Sequence, residues 1–224
     1  MFFTTYLKRG KMDLEKFFKA KNVAIVGVSK DPKKVGHVIF RNLLDANFRG
    51  NLFLVNPNAY EILNRQVYKS LNVIRDEIEL AVIAVPAKKV LDVIKDCGKK
   101  NIKNVIVISS GFKEIGNEKL ENQLKELATK FKINLLGPNC LGVFDAYTKL
   151  DTLFLPRYRL KRPSPGGISF VSQSGAIGSA ILDLATTENY GISKFISYGN
   201  ATMIDESDIL EYLGSDKETK VICM

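Results

Sequence analysis

The chain has 224 residues, of which 46% are hydrophobic and 25% are charged, a composition that can build a buried core and excludes an intrinsically disordered protein. Its net charge of +9 arises in the first half, where residues 1–112 hold 20 Lys and Arg against 10 Asp and Glu. This charge would attract a polyanion. The lysines are dispersed and accompany no zinc-finger, basic-zipper or aromatic RNA-binding motif, which disfavours nucleic acid as that polyanion. The sequence has no run of about 20 apolar residues and no signal peptide, which predicts a cytoplasmic protein without membrane contact. Its three cysteines are scattered and no metal-ligand spacing occurs, which predicts reduced thiols and no metal site.

Apolar, β-branched runs alternate with amphipathic helical patterns in the first part of the chain. The runs predict strands at 23–28, 52–55, 80–85, 105–109 and 133–136, and the 3.6-residue periodicity predicts helices at 35–46, 90–99 and 119–130. This order is typical of an α/β fold with a parallel sheet covered by helices on both faces. We therefore expect a Rossmann-like domain over residues 12–146, preceded by an N-terminal extension over residues 1–11 that can be deleted without loss of folding.

A proline-rich and arginine-rich stretch separates this part from a second unit. Residues 147–166 read as a linker, and residues 167–224 predict strands at 167–171, 194–197 and 221–224 with helices at 175–187 and 206–213. Two and a half βα units do not bury both faces of a sheet, so we expect this second unit to be the first part of a larger domain.

The loop after the first predicted strand is a candidate anion site. It is basic and opens a helix, whose first backbone N–H groups lack intrahelical partners and whose dipole favours negative charge. Its candidate residues are Gly27, Val28, Ser29, Lys30, Lys33 and Lys34. The loop does not have the GxGxxG spacing of a dinucleotide site, which disfavours NAD. A plain βα connection with surface lysines remains an alternative.

Polar residues follow the later strands of the same predicted sheet. Because ligands bind at the carboxyl ends of parallel strands, these residues predict one cleft, although each turn could be structural alone. They are Asn56, Pro57, Pro86, Ser109, Ser110, Gly111, Asn139 and Cys140.

The second unit begins with a strand that leads into Ser172, Gln173, Ser174 and Gly175 and then into a helix. A serine can cap this helix while the N–H groups near Gly175 bind an anion, and an ordinary N-cap is an equally weighted alternative. A serine hydrolase is disfavoured, because the segment is not GxSxG and the single histidine, His37, belongs to the first predicted helix, where packing or a surface hydrogen bond is its default role.

Six stretches taken together resemble the CoA-binding α portion of the ADP-forming acyl-CoA synthetases, relatives of the succinyl-CoA synthetase α subunit. They are VAIVGVSKDPKKVGHVIFRNL, LVNP, VPA, ISSGFKEIG, GPNCLGVFD and VSQSGAIG. The resemblance covers about residues 12–224. It implies a Rossmann-like CoA-binding domain followed by part of a flavodoxin-like domain, in an enzyme that interconverts acyl-CoA, ADP and phosphate with acid, CoA and ATP through an acyl phosphate and a phosphohistidine.

The resemblance also implies roles for the candidate residues. The loop from Gly27 to Lys34 would hold CoA phosphates, Asn56, Pro57, Pro86 and residues 109–111 would complete the CoA cleft, and Asn139 and Cys140 would lie near the thioester. Residues 172–175 would cradle the phosphoryl group.

The family's phosphorylated histidine and its supporting glutamate would follow the strand that begins at Val221, so no catalytic residue is expected on this chain, and His37 is no substitute. The resemblance implies that another chain or domain supplies the ATP-grasp-type nucleotide site, which binds ATP or ADP with Mg, and the remainder of the ligase domain. The chain alone should therefore be inactive. The alternatives left open are a non-catalytic CoA-binding module or sensor and, less favoured, an NAD-linked dehydrogenase or redox-sensing regulator.

Overall fold

A computed structural model describes residues 12–224, which form two β-sheets with six helices around them. The extension expected over residues 1–11 lies outside the described residues. The helices are α1 (Lys16–Lys19), α2 (Val35–Asp45), α3 (Ala87–Lys99), α4 (Glu118–Phe131), α5 (Gly175–Thr187) and α6 (Glu206–Ser215). None of these helices is long and apolar enough to cross a membrane.

The first sheet has seven strands in the order β3-β4-β2-β1-β5-β6-β7. Their bounds are β1 (Asn22–Val26), β2 (Asn51–Val55), β3 (Glu61–Ile62), β4 (Arg65–Tyr68), β5 (Leu80–Ile83), β6 (Asn104–Val107) and β7 (Asn134–Leu136). All neighbours are parallel except β3 and β4. The central strands β1, β5 and β6 are buried almost throughout, as the uninterrupted apolar runs predict for a sheet covered on both faces. The α/β fold is thereby confirmed.

The second sheet has four strands in the order β11-β9-β10-β8. They are β8 (Gly142–Asp145), β9 (Pro165–Ser172), β10 (Ile192–Ser197) and β11 (Val221–Cys223). Strand β8 lies within the range that we expected for the first domain, yet it pairs antiparallel with β10 of the second sheet. Its residues are all buried, so hydrophobic pattern alone did not indicate which sheet would receive it.

The proline-rich connection is closely packed. Asp151 is fully buried and its carboxylate accepts hydrogen bonds from Arg162 Nε at 2.9 Å and from Arg157 Nη1 at 2.8 Å. The side chain of Asn42 on α2 donates to the carbonyl oxygens of Leu153 at 2.6 Å and Leu155 at 3.0 Å. The expected linker therefore helps to fix the second sheet against the first.

Candidate functional site

Two adjoining cavities lie where the strands of the first sheet end. The outer cavity, of about 730 Å³, lies within the first unit, and the inner cavity, of about 590 Å³, lies between the two units. Val35, Ala84, Val85 and Pro86 line both cavities, so the two are continuous along one wall. This is the edge at which open parallel sheets bind ligands.

Two glycines let the backbone close tightly behind the outer cavity. Gly27, at the end of β1, has φ +96°, and a Cβ there would lie 2.4 Å from the carbonyl oxygen of Ala84. Gly36, in the first turn of α2, would place a Cβ 2.3 Å from the carbonyl oxygen of Gly27. A side chain at Gly27 would clash with the backbone that follows β5, and one at Gly36 would push the start of α2 away from the end of β1.

The start of α2 offers unoccupied backbone donors to the outer cavity. No side chain among the described residues caps this helix, and Val35 and Gly36 of its first turn line the cavity. The unpaired N–H groups and the helix dipole together suit a phosphate.

Two side chains brace the loop that precedes α2. His37 is buried, and its Nδ1 lies 2.8 Å from the carbonyl oxygen of Ser29; since a carbonyl only accepts, Nδ1 carries the proton. Asn56 donates from Nδ2 to the carbonyl oxygen of Val28 at 2.6 Å. His37 lines neither cavity, which agrees with the packing and hydrogen-bonding role expected for it.

Lysines from three separate segments line the outer cavity. They are Lys34, Lys69 and Lys89, and none of them forms an ion pair within residues 12–224. Lys69 lies over the ring of Tyr60, 5.5 Å from its centroid. Asp92 and Asp96 also line this cavity, where they pair with Lys95 and Lys99. The three lysines without an acidic partner would attract a polyphosphorylated ligand.

The inner cavity is closed on one side by the start of α5. Ser174 is the N-cap, and its Oγ accepts from the backbone N–H of Ile177 at 3.2 Å. Ser172 Oγ accepts from the backbone N–H of Ser174 at 3.1 Å and does not line the cavity. Gln173, Ser174 and Gly175 do line it, so the residue that caps α5 also lies at the wall of the inner cavity.

The thiol of Cys140 also lines the inner cavity. It donates to the carbonyl oxygen of Val107 at 3.4 Å, and burial raises the pKa of Cys140 to about 12. A thiol with this pKa stays neutral near pH 7 and is a poor nucleophile.

Most of the candidate residues predicted from the sequence line one of the two cavities. The outer cavity receives Gly27, Ser29, Lys34, Asn56, Pro57 and Pro86, and the inner cavity receives Pro86, Ser109, Ser110, Asn139, Cys140, Gln173, Ser174 and Gly175. The remaining candidates, Val28, Lys30, Lys33, Gly111 and Ser172, line neither. Val28 is fully buried, whereas Lys30 and Lys33 are exposed.

The sequence reading missed Lys69 and Ser70, which line the outer cavity. Both follow β4, a strand that we did not predict and that pairs parallel with β2. The short Arg65–Tyr68 run has only Val67 buried, and this weak signal is why the strand was overlooked. Phe154, which lines the inner cavity from the expected linker, was also missed.

Two family models match the chain. One, described as a CoA binding domain, matches residues 21–146, and the other, described as a succinyl-CoA ligase like flavodoxin domain, matches residues 165–224. These matches confirm the expected Rossmann-like and flavodoxin-like units.

The chain is similar along nearly all its length to named ligases. It is 44% identical over 204 residues to acetate-CoA ligase (ADP-forming) of Methanocaldococcus jannaschii, covering 91% of this chain and 28% of that protein. It is 42% identical over 217 residues to acetate-CoA ligase (ADP-forming) I subunit alpha of Pyrococcus furiosus, covering 94% of this chain and 46% of that subunit. The resemblance drawn from the six sequence stretches is therefore confirmed.

A solved structure of the same kind shares the fold. The dinucleotide-forming acetyl-coenzyme A synthetase 1 of Ca. Korarchaeum cryptofilum, in complex with phosphate and ADP, superimposes with a TM-score of 0.89 at 42% identity. The match covers 94% of this chain and 44% of that one. The chain thus spans less than half the length of these relatives.

Proposed function

The chain belongs to the CoA binding domain family through residues 21–146, and from that premise we propose that its outer cavity binds CoA and its inner cavity brings the thioester end of CoA next to a phosphoryl group. The observation on which this proposal depends is the continuity of the two cavities along Val35, Ala84, Val85 and Pro86. A ligand that is polyphosphorylated at one end and reactive at the other would fit this arrangement.

The outer cavity has the chemistry that CoA phosphates require. The uncapped start of α2 supplies N–H donors, Lys34, Lys69 and Lys89 supply charge, and the glycine at position 36 lets the start of α2 lie against the end of β1. This combination also accounts for binding without the GxGxxG spacing of a dinucleotide site.

We further propose that the site serves an acyl-CoA ligase of the ADP-forming, acetate-like type. In the synthetic direction a phosphohistidine would transfer its phosphoryl group to a carboxylate, and the CoA thiol would then attack the acyl carbonyl and release inorganic phosphate. The start of α5 would hold the phosphoryl oxygens during both transfers, since its N–H groups and dipole favour the anion.

The histidine and nucleotide in this proposal come from outside the described site. His37 is the single histidine of the chain; it is hydrogen-bonded to Ser29 and lines neither cavity, so we do not assign it as the carrier. ATP or ADP, with Mg, would bind to an ATP-grasp-type partner chain or domain. The chain by itself would be inactive. We expect it in the cytoplasm.

Calorimetry on the purified chain tests the binding proposal directly. We expect CoA to bind and NAD to bind at least tenfold more weakly, because the loop after β1 lacks the dinucleotide glycines. Preference for NAD or NADP would contradict the proposal. Turnover after addition of the partner chain then separates a ligase component from a CoA-binding sensor, for which binding would persist without acyl transfer.

A further inference from the structure

A buried polar cluster joins the two units just outside the inner cavity. It consists of Glu121 on α4 and of Asn200 and Thr202, which follow β10. Their exposed fractions are 5%, 7% and 7%. None of the three lines either cavity, and the proposed function makes no use of them.

The backbone brings this part of the second unit alongside the end of β7. The N–H groups of Asn200, Thr202 and Ile204 donate to the carbonyl oxygens of Pro138 at 2.9 Å, Gly137 at 3.2 Å and Leu135 at 3.2 Å. A Cβ at Gly199 would lie 2.4 Å from the carbonyl oxygen of Asn139. The segment after β10 is thus fixed in register against the residues that enter the inner cavity.

Two carboxylates determine how the Asn200 amide is turned. Its Nδ2 lies 2.8 Å from Glu114 Oε2 and 2.8 Å from Glu121 Oε2. Burial by itself would raise the pKa of Glu121, but hydrogen bonds from Thr202, from the backbone N–H of Lys113 and from Asn200 outweigh burial and lower it. An ionised carboxylate only accepts hydrogen bonds, so the nitrogen of Asn200 must face the two glutamates.

The orientation of Asn200 determines that of Asn139. With its nitrogen turned to the glutamates, Asn200 presents Oδ1 to Asn139 Nδ2, 3.3 Å away. Asn139 lines the inner cavity, and its own backbone N–H is bound to the carbonyl oxygen of Ser109 at 2.9 Å. One amide proton of Asn139 is therefore occupied, while its Oδ1 and second amide proton have no partner within residues 12–224 and are available to a ligand.

We propose that Glu121 and Asn200 are positioning residues that turn the Asn139 amide toward the acyl thioester in the inner cavity. This rests on the proposed function, because it takes the thioester end of CoA to lie in that cavity. We call the hydrogen bonds that join Asn139 to Asn200 and Asn200 to Glu121 the relay. Without the relay the Asn139 amide would be free to rotate, and it would have to be ordered each time an acyl-CoA binds. CoA itself would be affected less, since a thiol is a weak hydrogen-bonding group.

The test compares acetyl-CoA and CoA binding by calorimetry in Glu121→Ala and Asn200→Ala. We expect acetyl-CoA to bind about 3–10-fold more weakly in both variants, the effect of roughly one hydrogen bond, with CoA changed less than twofold. Glu121→Gln should restore acetyl-CoA binding, because the Gln oxygen can still accept from Asn200. Glu126→Ala, an exposed position on the same helix, is the matched control and should behave as wild type.

A double-mutant cycle separates positioning from a general structural role. In an Asn139→Ala background, Asn200→Ala should cause no further loss of acetyl-CoA affinity, because the group that it orients is gone. If Glu121→Ala does not fold, Asn200→Ala still provides this test, since it leaves the bonds of Glu121 to Thr202 and Lys113 in place.

Three results would overturn the proposal: equal losses for CoA and acetyl-CoA, additive losses in the cycle, or wild-type affinity in Asn139→Ala. If the wild-type chain binds neither ligand, the proposed function fails and the positioning proposal fails with it. If it binds both and the variants match wild type, only the positioning proposal fails.

Discussion

The lysines of the loop between β1 and α2 have different relations to the outer cavity. All three lysines, Lys30, Lys33 and Lys34, are exposed, but only Lys34 lines the cavity. A charge at the wall contacts a bound phosphate directly, while charges outside it act through the long-range field. The three residues, which look equivalent in sequence, should therefore affect different rate constants.

Lys34→Ala should weaken CoA binding about 10–100-fold, mainly by faster dissociation, because it removes a hydrogen bond to a charged group. The double variant Lys30→Ala/Lys33→Ala should chiefly slow association, and raising the salt concentration should abolish its effect. Surface plasmon resonance at two salt concentrations measures both rate constants. Equal dissociation rates for the two proteins would contradict this assignment of roles.

Glu79 links the first helix to the sheet at the residue scale. Its carboxylate accepts from the backbone N–H of Lys21 at 2.6 Å and of Asn22 at 3.1 Å and pairs with Lys16. Burial opposes ionisation, but these contacts prevail and the pKa of Glu79 is lowered. A lowered pKa in the folded state stabilises the protein above the unfolded value of about 4.3, and this contribution is lost as the pH falls through the folded pKa.

Glu79→Gln should lower the melting temperature at pH 7 by about 3–6 °C, the equivalent of roughly 1–2 kcal/mol at this size. The difference from wild type should shrink as the pH is lowered from about 5 to 3, because wild-type Glu79 becomes protonated there. Glu126→Gln, at an exposed position, is the control. A difference that is constant across this range would mean that packing, not charge, explains the effect.

At the scale of elements, the two helix starts at the cavities differ in their caps. No described side chain caps α2, whereas Ser174 caps α5. A capped start still has unpaired N–H groups in its first turn, so capping does not prevent α5 from holding an anion. The sequence reading set the N-cap against the anion site, and the geometry allows both functions at Ser174.

Substitutions at Ser174 can separate these functions. Ser174→Ala should lower the melting temperature by about 2–4 °C through the loss of roughly 1 kcal/mol of capping. Ser174→Asp should keep the melting temperature within about 2 °C, because Asp caps equally well, yet it should suppress phosphoryl transfer in the reconstituted enzyme by placing a negative charge at the anion site.

Thermal unfolding and labelled-phosphate incorporation measure the two effects. Full activity in a stable Ser174→Asp protein would exclude this helix start as the phosphoryl site.

At the scale of the whole molecule, one apolar core extends through both units. Its buried residues include Ile25 and Leu54 of the first sheet together with Val143, Val171 and Ile196 of the second. Hydrogen bonds from Asn42 on α2 to residues 153 and 155 close the junction. Residues 24–135 and residues 141–195 each hold a further buried apolar cluster, but the cluster shared between the units should make them unfold together.

A fragment of residues 12–146 should be less stable than residues 12–224, because β8 would lose its partner β10 and its buried residues would become exposed. We expect a single calorimetric transition for 12–224, and a lower melting temperature with increased binding of a hydrophobic dye for the fragment. Two separate transitions in 12–224, or equal melting temperatures, would show that the units are independent.

Several features could be read from the sequence because they depend on local pattern. The apolar runs that became β1 and β5, the periodicity of α2 and the polar residues at strand ends determine the order of βα units and the edge at which a ligand binds. The bounds of α5, Gly175–Thr187, agree with the predicted helix. The six stretches were also sufficient to indicate the family.

Other features were decided only by tertiary structure. An apolar run shows that a strand is buried but not which neighbour buries it, so the pairing of β8 with β10 of the second sheet was not predicted. The sequence does not show which lysines will line a cavity, because that depends on how the chain folds. Lys69 was therefore missed, while Lys30 was included. The relay from Glu121 through Asn200 to Asn139 joins residues up to 79 positions apart, and such hydrogen bonds leave no periodic trace because their direction depends on groups that meet only in the folded chain.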